Sequence, residues 1–160
     1  MTGLVDTVRG KVQNVCLVSG PLKKEGCSVS LKDAPPRRLI VDFDKPGSPL
    51  GVSMTRCDYL LIADDADDSG WVVPVELKKG RLDASEAVKQ LRAGANAARK
   101  LVPKGSKVNF RPVVAAGGNK AERNKLKDKR NWVRFRDHAE YVRLLKCGDQ
   151  LINAFKVTQI

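Results

Sequence analysis

Histidine is nearly absent from this sequence, with His138 alone among 160 residues. The cysteines Cys16, Cys27, Cys57 and Cys147 lie far apart and form no Cys-x-x-Cys pair. That spacing, with one histidine to help, excludes a zinc site. A disulfide framework would call for a smaller, exported chain, so four buried, reduced thiols in a cytoplasmic protein are expected. No apolar run approaches the ~20 residues of a membrane-crossing helix. No basic region followed by a long apolar stretch opens the chain, and no secretory signal is expected. A basic amphipathic helix with a large aromatic or leucine face is also missing, which argues against a membrane surface as partner. There is no internal repeat and no domain break. A single domain over residues 1–160 is expected, long enough to bury a core without staples.

Acids are the scarcer charge. Against 18 Asp and Glu stand 30 Lys and Arg, a net charge of +12 that points to a polyanion, nucleic acid before any other. The acids are also unevenly placed. Residues 58–76 carry Asp58, Asp64, Asp65, Asp67, Asp68 and Glu76 and no base, whereas residues 77–160 hold 21 bases against 7 acids. Basic flanks would hold phosphates while clustered carboxylates hold a divalent cation. Asp64, Asp65, Asp67 and Asp68 read better as a solvated turn.

Residues 4–18 predict a short helix leading into a strand. Strands are expected at 29–31 and 39–43, and residues 45–49, with Pro46, Gly47 and Pro49, form a loop. Two stronger β runs follow, Tyr59-Leu60-Leu61-Ile62 and Trp71-Val72-Val73-Pro74-Val75. Residues 83–101 predict a helix, capped by Asp83 with Glu86 three positions later. Its apolar stripe runs through Ala84, Ala87, Val88, Leu91, Ala95, Ala98 and Leu101, with Gln90 at the stripe's edge. A further strand is expected at 110–116. The basic stretch 117–131 is either a mobile loop or a helix that forms on binding. Late strands at 132–136 and 141–146 and a short helix near 151–155 complete an α/β (α+β) chain with a central mixed sheet flanked by helices.

If the two strong runs pair as a hairpin centred on residue 67, Asp58 lies directly opposite Glu76. Opposed residues in an antiparallel pair have Cβ atoms only ~5 Å apart. Carboxylates that close repel unless a cation or a proton lies between them. Strand alternation puts Glu76 and Lys78 on one face and Lys79 on the other. Glu76-Leu77-Lys78 is the one acid-x-lysine triplet in the chain. About two would arise by chance, so its weight comes from its context on a β run, behind an aspartate that opens another and before a capped helix.

This constellation resembles the PD-(D/E)XK nuclease superfamily over residues 56–102, within a motif-bearing core of about 56–116. In such a resemblance Asp58 heads the first strand, Glu76-Leu77-Lys78 forms the acid-x-lysine motif and Gln90 is the glutamine on the following helix. Cys57 stands where the proline that names the motif would be. The resemblance implies a restriction-endonuclease-like sandwich that hydrolyses phosphodiester bonds in nucleic acid, DNA favoured. Asp58, Glu76 and the Leu77 carbonyl would ligate Mg²⁺ or Mn²⁺, hard cations suited to oxygen. Lys78 would orient the attacking water or stabilise the transition state, and Gln90 would position Lys78 or the phosphate. Arg92, Arg99 and Lys100, with Lys120, Arg123, Lys125, Lys127, Lys129 and Arg130, would contact phosphates. Paired cuts in duplex DNA call for two active sites, so a homodimer is among the states left open.

Two other readings compete. Asp65 to Glu76 also fits a calcium-loop pattern, but that loop needs a helix on each side and the flanks here are β-forming. A basic nucleic-acid-binding protein without catalysis explains the charge equally well. It does not explain an acidic stretch without a base, nor a lysine alternating with an acid behind an opposed aspartate.

Overall fold

The computed structural model describes residues 3–49 and 55–156. Helix α1 (Leu4–Arg9) leads to β1 (Leu17–Val18), a small hairpin of β2 (Leu22–Lys24) and β3 (Cys27–Val29), and β4 (Arg38–Asp42). The central strands β5 (Tyr59–Asp64) and β6 (Gly70–Arg81) precede helix α2 (Ala84–Leu101). Then come β7 (Val108–Phe110), β8 (Val113–Gly117), α3 (Lys120–Lys127), β9 (Val133–Phe135), β10 (His138–Glu140) and β11 (Arg143–Leu145). A 3₁₀ turn (Leu151–Ala154) follows.

The main sheet is mixed, in the order β1-β4-β5-β6-β8-β11, with β7 also on β6. The first four of these strands are antiparallel neighbours, while β6, β8 and β11 run parallel. Alternation divides the core. Leu39, Val41, Leu60, Ile62, Val72 and Val114 meet α1 and α2 on one face. Ile40, Leu61, Val73, Val75, Leu77 and Val113 meet the β2–β3 hairpin and the 3₁₀ turn on the other. Helices thus cover one face, and a hairpin takes the place of a helix on the second.

Asp83 caps α2 as expected, its Oδ1 accepting the Glu86 N–H at 3.0 Å. The helix then runs back along β6, so closely that Gly94 sits against Cys57 and Pro74. A Cβ at Gly94 would fall 2.5 Å from Cys57 Sγ and 2.9 Å from Pro74 Cβ. Gly94→Ala is therefore expected to destabilise the protein by about 1–3 kcal/mol, although alanine is the better helix former. Thermal melting checks this, and a stabilised variant would mean that α2 lies farther from the strand.

Three expectations are corrected here. The strand at 110–116 is broken at Arg111 and Pro112, because proline cannot donate to the ladder, and β7 and β8 pair with β6 separately. The segment 117–131, expected as a mobile loop or a helix that forms on binding, holds helix α3 rather than a loop. Asn119 caps α3 through the N–H groups of Ala121 and Glu122, and Leu126 anchors it in the core. Finally, only Cys16 and Cys57 are buried free thiols. Cys27 and the exposed Cys147 form a disulfide joining β3 to the segment after β11. With that bond present, reduced thiols no longer point to the cytoplasm.

The disulfide closes a sequence separation of 120 residues. Removing it with Cys27→Ser and Cys147→Ser is expected to cost about 3–5 kcal/mol, chiefly by freeing the unfolded chain. Urea unfolding with and without reductant measures it. An unchanged midpoint would show that packing alone holds the hairpin to the sheet.

Candidate active site

The β5–β6 ladder pairs Tyr59 with Val75 and Asp64 with Gly70, so the next pair beyond Tyr59 is Asp58 with Glu76. This is the register expected from a hairpin centred on residue 67. At that point the ladder gives way to side chains. The Asp58 N–H donates to Glu76 Oε1 at 3.1 Å, and the Leu77 N–H donates to Asp58 Oδ2 at 2.8 Å. Each carboxylate therefore takes a backbone donor of the opposite strand. In an antiparallel pair the N–H and C=O of one residue point to the same neighbour. The Leu77 carbonyl thus shares the strand edge at which Asp58 lies.

Glu76 is nearly inaccessible, its side chain 4% exposed, and Lys78 Nζ stands 3.6 Å from Glu76 Oε2 on the same face. Lys79 points the other way, toward Gly26 of the hairpin. Burial is the main reason that both carboxyls titrate high. Glu76 is pushed up to about 8, first by burial and then by the Asp58 charge, with Lys78 acting in the opposite direction. Asp58 is also raised, by burial and by the charge of Asp44, while its bond from the Leu77 N–H and the charge of Lys24 pull it down. The Cys57 thiol is driven well above its ordinary range by burial and by the two carboxylates.

Gln90 lies one helical turn before Gly94 on α2. A turn spans 5.4 Å, about two strand residues, so Gln90 falls over β6 near Glu76 when Gly94 falls over Pro74. Its Oε1 is buried and has no hydrogen-bond partner among the described residues. The two opposed carboxylates and the edge carbonyl offer oxygen donors, with the Gln90 amide on the helix above. That chemistry fits a hard divalent cation and is unsuited to zinc. No group of three or more His, Cys, Asp or Glu side chains that could hold a metal ion occurs among the described residues, and this site brings together two carboxylates.

Asp44 was not among the expected site residues. The Phe43 N–H donates to the Asp58 carbonyl at 3.1 Å, bringing the end of β4 alongside. Asp44 is itself clasped by Lys24 at 2.7 Å and Arg56 at 3.2 Å. The loop before β5 is too long to set this pairing by symmetry, so no sequence signal pointed to it.

In the rest of the acidic stretch Asp65, Asp67 and Asp68 lie exposed on a turn, as expected, and Asp64 departs from it. Asp64 is no solvated turn residue: it accepts the Val5 N–H at 3.1 Å and pairs with Arg37 at 2.6 Å. Asp65 caps the short turn Ala66–Asp68. Strands flank this turn on both sides, which removes the calcium-loop reading.

The basic residues are placed in different settings. Arg92 donates to the carbonyls of Arg130 and Trp132, and Arg99 to that of Arg134, tying α2 to the segment before and within β9. Lys125 pairs with Glu122 and Arg130 with Asp128, whereas Lys100, Lys120, Arg123, Lys127 and Lys129 are exposed. His138, the single histidine, lies 2.5 Å from Glu140. No helix among the described residues is long and apolar enough to cross a membrane. No protein-family model matches the chain, and no curated protein or solved structure is significantly similar to it.

Proposed function

We propose that this chain is a metal-dependent nuclease of the restriction-endonuclease-like kind, hydrolysing phosphodiester bonds with Asp58, Glu76 and Lys78. The observation that carries the reading is the pair of opposed carboxylates, Glu76 buried and Asp58 half-buried, with Lys78 Nζ 3.6 Å from Glu76. A salt bridge alone does not explain why two carboxyls are set directly against each other, a placement that disfavours the charge of Glu76. Asp58, Glu76 and the Leu77 carbonyl would hold Mg²⁺ or Mn²⁺. When bound, such an ion polarises a phosphoryl oxygen and lowers the pKa of a coordinated water.

The chain's own groups supply the remainder. Lys78 places a fixed positive charge beside the carboxylates, where negative charge builds on the scissile phosphate. Its ammonium can also donate to a water poised for attack. Gln90 offers a second polar group at the same spot, with its amide donating to the phosphate or to that water. The net charge of +12 draws nucleic acid to the surface, with DNA the favoured substrate.

The test is cleavage of labelled single-stranded and duplex DNA and RNA in Mg²⁺, Mn²⁺, Ca²⁺ or EDTA. Cleavage in Mg²⁺ or Mn²⁺ and its loss in EDTA are expected. Binding without cleavage of any substrate would overturn the reading and leave a basic nucleic-acid-binding module.

A further inference from the structure

A cleft of about 400 Å³ opens on the outer side of α2, and Arg92, Asn96, Arg99, Lys129, Arg130, Trp132 and Arg134 are among the residues that line it. No carboxylate lines it. Of its cations, Arg130 pairs with Asp128, and the other four make no ion pair among the described residues. A concentration of guanidinium groups with a single counter-charge, Asp128, is held together here by other means. Arg92 donates to the carbonyls of Arg130 at 2.7 Å and Trp132 at 3.3 Å, and Arg99 to Asn96 Oδ1 at 2.8 Å and the Arg134 carbonyl at 2.9 Å. These bonds leave other donors of each planar guanidinium fork unused, already oriented and costing little entropy to engage.

Trp132 adds an aromatic surface. Its indole N–H donates to the Lys127 carbonyl at 3.3 Å and Lys129 Nζ lies 5.9 Å from its ring, so the ring is fixed yet only half-buried. Cations that track a backbone beside an aromatic platform recognise unpaired nucleotides, because a base must leave its stack to lie on the ring. A duplex, with its bases paired inside, would engage a convex basic face and leave such a cleft empty.

We propose that this cleft binds a single-stranded polynucleotide, DNA or RNA, with phosphates on Arg92, Arg99, Arg134 and Lys129 and a base against Trp132. The inference rests on the reading of the chain as a nucleic-acid partner, but not on catalysis. Gln90 turns toward the sheet while Arg92 and Arg99 lie on the outer side of the helix, so the cleft is separate from the Asp58–Glu76 centre.

The experiment uses the full-length Glu76→Gln chain in EDTA, so that no outcome depends on cleavage. Affinities for fluorescent single-stranded DNA, single-stranded RNA and duplex DNA are measured against salt, and tryptophan fluorescence is followed during titration with unlabelled strands. Single strands of one or both kinds are expected to bind at least tenfold more tightly than duplex and to quench the indole. Trp132→Phe should abolish most of the quench, leaving Trp71 as an internal reference. Arg134→Ala and Lys129→Ala, whose side chains make no hydrogen bond among the described residues, should each weaken binding several-fold. Each should also reduce the slope of log K against log salt by about 0.7. Duplex binding as tight as single-strand binding, or variants that bind like the parent, would overturn the cleft assignment while leaving the nuclease reading standing. No binding to any polynucleotide would overturn both.

Discussion

Replacing Glu76 by alanine is expected to lower metal-dependent cleavage by about a thousandfold or more, and Lys78→Ala by about a hundred- to a thousandfold. The difference follows from their positions. Glu76 would be a ligand, so its loss takes away the cation and with it the positive charge that would offset the half-buried Asp58. Lys78 stands at 31% exposure, where solvent partly replaces its charge. Truncating a buried side chain also leaves the Asp58 N–H without its acceptor, so a folding defect must be separated from lost chemistry. Glu76→Gln does this, since its amide oxygen can still accept that N–H at similar volume. The expected result is a Glu76→Gln protein that melts cooperatively, keeps its nucleic-acid affinity and does not cut. Cleavage at parental rates by Glu76→Gln or Lys78→Ala would remove these residues from the reaction.

The pairing that brings Asp58 to Glu76 was legible because the β5–β6 connection is short and symmetric. With Asp64 opposite Gly70, five residues close the turn and the apolar runs on either side match in length. Helix α2 was legible from its Asp83 cap and its apolar stripe, which the core retains from Ala84 to Leu101. Other features depend on distance along the chain. Cys27 and Cys147 are brought together by a hairpin folding across the sheet, and no local pattern records that approach. The strands β9 and β10 are three residues each, too short for a period-2 signal, and the separate strand at His138–Glu140 was not anticipated. The basic residues show a third kind of gap. Helical spacing sets Arg92 and Arg99 opposite the apolar stripe of α2, but carries no sign that backbone carbonyls fix them around Trp132.

Glu76 also predicts how stability should depend on pH and on divalent ions. Its carboxyl rises from the ordinary 4.5 to about 8 in the folded protein, because burial and the neighbouring Asp58 disfavour its charge. Between these values the folded state binds a proton that the unfolded state has released. The contribution is fully present below about pH 4.5 and is lost as pH rises through about 8. Within the window the loss is at most about 1.4 kcal/mol per pH unit. Asp58, raised in the same direction, adds to it. Melting at pH 5 and at pH 9 should therefore show a larger fall for the parent than for Glu76→Gln, which has no proton to lose. A divalent cation offers the carboxylates another way to discharge their repulsion. Mg²⁺ or Mn²⁺ should raise the melting temperature at pH 8–9, and much less at pH 5, where protons compete for the same oxygens. Glu76→Gln should respond weakly at either pH. Equal stabilisation of parent and variant by the ion would place the cation elsewhere. A parent whose melting temperature does not fall from pH 5 to pH 9 relative to Glu76→Gln would mean that Glu76 is ionised throughout, paired with Lys78 alone.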